Sequence, residues 1–219
     1  MTSVDTLYLL DTHAHFHEKS SLVNVSSAPE SALPITLVRH GETEWNAKSV
    51  VQGQDDTARL NDKGRSQAKL VAESFVGMDF ELIITSDLAR ARETASIIAT
   101  TLSLPLEIDP LLRERSFGVL QTGSSSALTS TVTGISNDVL VDPDARPEEG
   151  ESFRDVVRRA DIFLDRVEEE WPTKRLLVVT HGGTIRALRA SASQTPLEGL
   201  TWDTVSNCSV WTIQSLLAT

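Results

Sequence analysis

Three short apolar runs, each ending in a polar turn, restrict this chain more than any other feature. Ile35-Thr36-Leu37-Val38 leads into Arg39-His40-Gly41, Leu82-Ile83-Ile84-Thr85 into Ser86-Asp87, and Leu176-Leu177-Val178-Val179-Thr180 into His181-Gly182-Gly183. Runs this apolar, without polar alternation, are the pattern of strands covered on both faces. Amphipathic helices lie between them: Gly64, Ala68, Val71, Ala72 and Phe75 share one face, as do Phe153, Val156, Val157, Ala160, Phe163, Leu164, Val167 and Trp171. Ser152 is placed to cap the second of these and Pro172 to stop it. Ser86 or Asp87 is placed to cap a further helix from about Leu88 to Thr101. Val210-Trp211-Thr212-Ile213 reads as a late strand at a sheet edge. Strands alternating with helices predict an α/β fold, a three-layer α/β/α arrangement around a mostly parallel central sheet.

The rest of the chain is less regular. Residues 1–34 carry three histidines, a Ser/Asn-rich stretch and two prolines, and are expected to form a weakly structured N-terminal extension to a single domain over 35–219. Ser/Thr-rich and then Pro/Asp/Glu-rich sequence near 119–150 is expected to form a loop or cap beside a site. The formal charge of −11 argues against broad nucleic-acid binding, which needs a basic face. No stretch approaches the roughly 18 apolar residues of a membrane span, and the start lacks a basic, apolar leader, so a cytoplasmic location is expected. A single cysteine, Cys208, excludes an internal disulfide and a cysteine-rich metal cluster; it is expected to pack in the core.

In an open parallel sheet, ligands bind outside the carboxyl ends of the strands. There the first strand delivers Arg39 and His40, the second leads to a helix bearing Arg90, and the third delivers His181. Glycines after both histidines let backbone N–H groups approach a ligand. Two guanidiniums, two imidazoles and exposed amides suit a tetrahedral dianion, and so phosphoryl transfer to an imidazole nitrogen.

Leu37-Val38-Arg39-His40-Gly41-Glu42-Thr43-Glu44-Trp45-Asn46 resembles the signature of the histidine phosphatase superfamily, in its phosphoglycerate-mutase-like branch. Gln52-Gly53, Leu60 to Ala68, Ser86 to Ala95, Leu112 to Gly118, Gly150-Glu151-Ser152 and His181-Gly182-Gly183 continue the resemblance in order. It implies the phosphoglycerate mutase-like fold and a catalytic set of His40 as nucleophile, Glu114 as proton donor and acceptor, and His181, Arg39 and Arg90 on the phosphoryl oxygens. Asn46, Gln52, Gly53 and Gly182 join Arg39, Arg90 and His181 as phosphate- or substrate-binding residues, Asn46 through its side-chain amide. The resemblance implies no cofactor and no metal. The activity expected is hydrolysis of small phosphate esters through a phosphohistidine. A phosphoglycerate mutase, and a catalytically weak phosphometabolite-binding protein, are the alternatives. The mutases of this family carry a longer insertion with an added arginine pair after the Glu segment. Here about 30 residues separate Gly118 from Gly150, with Arg146 the only basic one. Val119-Leu120-Gln121 also departs from the Trp-Glu-Gly common in the family. The partner expected is a small phosphate ester; the oligomeric state is open, a homodimer being one option.

Neighbouring residues are given quieter roles. Arg92 points about 200° away from Arg90 on a helix and is expected in solvent. Arg113 and Arg115 are expected in surface pairs, Glu42 as a loop brace, and Arg186 on a helix face. Asp11-Thr12-His13-Ala14-His15-Phe16-His17 resembles the opening of TatD-type metal-dependent hydrolases. That reading needs a barrel of about 250 residues with further ligands, so these histidines are expected to carry no chemistry.

Overall fold

A computed structural model describes residues 33–214. The expected extension, apart from Leu33 and Pro34, lies outside the described residues, and with it His13, His15 and His17. In chain order the elements are β1 (Pro34–Arg39), α1 (Glu44–Ala47), α2 (Asp62–Ser74), β2 (Leu82–Thr85), α3 (Ala89–Leu102), β3 (Leu106–Ile108), α4 (Ser130–Thr133), β4 (Ile135–Ser136), β5 (Val139–Leu140), α5 (Phe153–Glu170), β6 (Leu176–Thr180), α6 (Gly182–Ala192) and β7 (Val210–Gln214).

Five strands form the main sheet in the order β3-β2-β6-β1-β7. All neighbours are parallel except β7, which runs antiparallel to β1 at the edge. The apolar runs are continuous because both faces are covered, and alternate residues sort to opposite sides. Ile35, Leu37, Leu82, Ile84, Leu176 and Val178 pack with α5 and α6. Val38, Ile83, Leu177 and Val179 pack with α2 and α3. Three layers result, as the periodicities predict. β3 escaped the sequence reading because Leu106-Glu107-Ile108 is three residues long and largely exposed, too short to register as a run.

Local signals account for the helix ends. Asn61 caps α2 by accepting the Gly64 N–H, and Ser152 caps α5 in a reciprocal box with Asp155. The expected cap of α3 needs correction. Leu88 occupies the cap position; Ser86 accepts only the Leu88 N–H, and Asp87 is drawn away to Arg113. The Ala89 N–H is satisfied instead by Asp56, from the loop before α2. A cap donated across the fold leaves no local spacing to find.

Because β6 lies between β1 and β2, the chain leaves β1, skips one position and later returns to fill it. The carboxyl ends of β1, β2 and β6 therefore lie side by side, which is where an open α/β sheet takes ligands.

Candidate active site

The site grows out of those strand ends. His40 follows β1, with its backbone N–H donated to the Thr180 carbonyl of β6 (2.9 Å). Its turn is pinned to α3 by the Gly41 N–H, which donates to the Thr94 hydroxyl at 3.0 Å. A Cβ on Gly41 would stand 2.5 Å from the Gly64 carbonyl oxygen, so only glycine allows the His40 turn to lie this close to α2. His40 Nδ1 lies 2.8 Å from the Gly41 carbonyl oxygen. A carbonyl only accepts, so Nδ1 carries the proton and Nε2 keeps a free lone pair.

His181 caps α6 and is wholly buried, its ring centroid 5.1 Å from that of His40. Neither His181 ring nitrogen has a hydrogen-bond partner. Burial, and then the Arg90 charge, hold both imidazoles well below the usual histidine range; Arg39 adds to this at each ring. Both rings are therefore neutral at neutral pH, so His40 can attack and His181 can donate one N–H.

Each arginine is aimed by the backbone and left incomplete. Arg90, 1% exposed, donates from Nη1 to the Asp55 carbonyl (2.9 Å) and from Nη2 to the Gly53 carbonyl (2.6 Å). Arg39 donates from Nη1 to the Val205 carbonyl at 2.5 Å. The Nε of each is buried without a partner. Desolvation lowers both guanidiniums, Arg90 to about 10, while the nearby Glu114 charge opposes the shift. Both stay charged at neutral pH. Buried polar groups left unpaired are rare and costly. Four such atoms on three neighbouring side chains define a place prepared for something that accepts hydrogen bonds and carries negative charge.

Glu114 lies across the N-terminus of α6. Its Oε2 accepts the Gly183 N–H (3.1 Å) and its Oε1 the Arg115 N–H (2.8 Å). A Cβ on Gly183 would fall 2.3 Å from Oε1, so the second glycine after His181 makes room for this carboxylate. The segment carrying Glu114 is held from several sides. Thr180 and Thr184 donate to the Leu112 and Arg113 carbonyls, each at 2.7 Å, and Arg159 donates to the Leu111 and Arg113 carbonyls.

The remaining expected residues take distinct positions. Asn46 has its Oδ1 occupied by Thr43 and by the Asn207 amide, and its own amide nitrogen remains uncommitted. Gln52 accepts from the Thr43 hydroxyl (3.1 Å) and so braces the Asn46 turn. Gly53 holds Arg90 through its carbonyl, and Gly182 opens α6. Glu42 braces its loop against Lys63 and Asn61, Arg113 pairs with Asp87, and Arg92 is exposed. Cys208 is buried, its thiol pushed up to about 12 by desolvation. Among the described residues no group of three or more His, Cys, Asp or Glu side chains could hold a metal ion.

Two arginines depart from expectation. Arg115, expected in a surface pair, is 2% exposed and donates to the carbonyls of Val132, Thr133, Ala145 and Glu151. It gathers the segment after Gly118, with α4 and the β4–β5 hairpin, over the site. Arg186, expected on a helix face, instead walls a cavity of about 250 Å³ together with Arg39, Glu114, Gly182, Phe117 and Trp202. Arg159, Asn207 and Gln54, which donates to the Glu114 carbonyl, are supports that sequence reasoning missed. They act on backbone carbonyls far along the chain, so no motif spacing marks them.

Two neutral imidazoles, two incompletely paired guanidiniums and a carboxylate at a helix N-terminus thus meet in one anion-accepting pocket at the strand ends. Residues 35–215 match the model of the histidine phosphatase superfamily (branch 1), and the chain belongs to that family. A protein of Cronobacter sakazakii named probable phosphoglycerate mutase GpmB is 35% identical over 179 residues, covering 81% of this chain and 83% of its own. Its namesake from Photorhabdus laumondii is 38% identical over 170 residues, covering 74% and 79%. Among solved structures, Bacillus stearothermophilus YhfR superposes with a TM-score of 0.73 at 29% identity, covering 83% of this chain and 90% of its own. A mycobacterial glucosyl-3-phosphoglycerate phosphatase complexed with VO3 gives 0.70 at 29% identity, covering 82% and 91%. Its fold and this one share the central, mostly parallel sheet. Among the described residues no helix is long and apolar enough to cross a membrane.

Proposed function

We propose that the protein is a metal-independent phosphomonoesterase that transfers the phosphoryl group of a small ester to His40 and then to water. The observation that carries this reading is the set of buried, unpartnered polar atoms on Arg39, Arg90 and His181 beside a neutral His40 whose Nε2 is free. Nε2 attacks phosphorus as the P–O ester bond breaks. Arg39, Arg90 and the His181 N–H stabilise the charge on the equatorial oxygens, which is most of what a protein offers phosphoryl transfer. Glu114 in its acid form gives its proton to the leaving alkoxide. In the second half, the Glu114 carboxylate takes a proton from water as water attacks phosphorus, the Nε2–P bond breaks and inorganic phosphate leaves. A positioned carboxyl of this kind contributes about 10²–10⁴ in rate.

Hydrolysis is favoured over a mutase reaction by the cap. A mutase must hold a second anionic group while the phosphoryl waits on histidine. The cap's two nearest cations are already spent, Arg115 on four carbonyls and Arg146 on Asp155 at 3.0 Å. The phosphatase among the solved relatives supports hydrolysis, whereas the name of the bacterial sequence relatives favours the mutase. A panel of phosphate esters scored for both inorganic phosphate and isomerised ester decides between them. Phosphate release without isomer is expected; isomer in excess of phosphate would overturn the assignment. Binding without turnover of any ester would support the alternative of a weak phosphometabolite-binding protein.

A further inference from the structure

Gln121 stands where glycine is common in the family, and its side chain reaches back to the turn that carries Gly53. Its backbone is fixed from two sides. The Gln121 N–H donates to the Gly118 carbonyl (3.1 Å), and the Thr122 N–H donates to the Val51 carbonyl (2.8 Å). The side-chain Oε1 accepts the Gln54 N–H at 2.8 Å and the Phe117 N–H at 3.3 Å. Both partners are donors, so the amide oxygen rather than its nitrogen faces them. The Gln54 N–H belongs to the same peptide group as the Gly53 carbonyl, and that carbonyl accepts Arg90 Nη2 at 2.6 Å. A trans peptide points its N–H and its C=O in opposite directions. One hydrogen-bonded line therefore runs from the Gln121 amide, through the Gly53–Gln54 peptide, to the Arg90 guanidinium. A Cβ on Gly53 would stand 2.2 Å from Gln121 Oε1, and Gly53 has a φ of +50°, so both the contact and the turn require glycine.

The line matters because of the nitrogen that Arg90 keeps free. Nη1 and Nη2 are held by the Asp55 and Gly53 carbonyls, and Nε is buried without a partner. The places of those two carbonyls set the plane of the guanidinium and the direction of its free edge. A peptide whose N–H is engaged is also a better acceptor at its carbonyl, by about 10–30% per bond. Gln121 thus both locates the Gly53 carbonyl and strengthens its hold. We propose that Gln121 is a positioning residue for phosphoryl transfer, which aims Arg90 at the phosphoryl group through the Gly53–Gln54 peptide. It acts on the transferred group only through Arg90. The inference rests on the phosphomonoesterase reading.

The test compares the full-length wild type with Gln121→Met, which keeps the length of the side chain without its amide oxygen, with Arg90→Met, and with the double variant. Turnover is measured on 4-nitrophenyl phosphate and on ethyl phosphate, and the Kd of inorganic phosphate by calorimetry. Gln121→Met is expected to lower kcat/KM about 3- to 10-fold, the usual net value of one hydrogen bond. The factor is the same on both esters, because Arg90 meets the transferred group and not the leaving alcohol. Phosphate affinity falls with it. In the Arg90→Met background the same change is expected to cost under about twofold in either readout, because the line then ends on no donor. A general loosening of the cap would cost as much there as in the wild type. Arg90→Lys, which keeps a charge but not the two-pronged grip, replaces Arg90→Met if that variant fails to fold. A loss under about threefold from Gln121→Met, a loss larger on ethyl phosphate, or an equal loss without Arg90 overturns the inference and leaves the phosphatase reading intact. No phosphate released by the wild type from either ester overturns the phosphatase reading instead, and the phosphate affinities then still decide whether Gln121 acts through Arg90.

Discussion

Gly183→Ala separates the catalytic role of Glu114 from its contribution to stability. The added Cβ would stand 2.3 Å from Glu114 Oε1 and 3.6 Å from Oε2. Real Cβ contacts do not fall that short, and the obstacle is the far end of a flexible side chain, so the carboxylate moves rather than the backbone. Its two backbone hydrogen bonds, from the Gly183 and Arg115 N–H groups, are then lost or lengthened. The fold tolerates this. Alanine in the first turn of α6 gains up to about 1 kcal/mol of helix propensity over glycine, which opposes the lost contacts. The melting temperature is expected within about 4 °C of wild type. Activity is not spared, because displacing a positioned group by about 1 Å costs about 10²-fold. The loss depends on the leaving group. For an alkyl phosphate, whose alkoxide needs a proton, kcat/KM is expected to fall about 10²- to 10³-fold. For 4-nitrophenyl phosphate, whose phenolate leaves without help, the fall is expected to stay under about tenfold. Because kcat/KM covers only the steps up to the first irreversible one, it excludes the second use of Glu114. Equal losses on both esters, or no loss on either, would refute the placement of Glu114 as the acid.

Other outcomes follow from the same geometry. His40 and His181 are held below the unfolded histidine value of about 6.5, so the unfolded chain binds protons first. Their contribution to stability is complete above about pH 6.5 and is lost as the pH falls, at up to about 1.4 kcal/mol per pH unit for each ring. Urea titrations between about pH 5 and 8 should show this slope, and His181→Gln should lessen it; a pH-independent midpoint would contradict the neutral, buried rings. Replacing Arg115 with Met leaves four carbonyls over the site without their donor and, at ~1–3 kcal/mol for each buried acceptor left unsatisfied, should cost at least about 3 kcal/mol in urea unfolding. A cost under about 1 kcal/mol would show that the cap is held otherwise. Phosphate release should survive EDTA, and abolition by chelation that zinc or magnesium restores would replace the mechanism. Deleting residues 1–30 should leave kcat/KM on 4-nitrophenyl phosphate unchanged, and a loss of activity would give that segment a part in the site.

The central strands and the residues at their ends were legible because one physical cause wrote both signals. Strands buried on two faces must be apolar throughout, and the abrupt change to Arg-His-Gly or His-Gly-Gly marks where the apolar run ends and buried polar side chains begin. Ser152 was readable as a cap, since a cap acts within three residues. The sequence reading failed where a side chain acts across the fold. Asp56 caps α3, Arg115 gathers the cap and Arg186 walls the cavity, and each depends on a partner that only tertiary structure supplies. Arg115 misled for a further reason. A charged residue beside a catalytic segment is usually solvated, and burying it needs several carbonyls converging from residues 17 to 36 positions away.

The central claim is that phosphorus is bonded to His40 during turnover. It is tested by quenching a reaction with 4-nitrophenyl phosphate in alkali within the first turnover and mapping the phosphate by peptide mass spectrometry. The account predicts one phosphate per chain, stable to alkali and lost in acid, on the peptide carrying His40 and absent from His40→Ala. A phosphate on another side chain, or full turnover in His40→Ala with no phosphoenzyme, would contradict it.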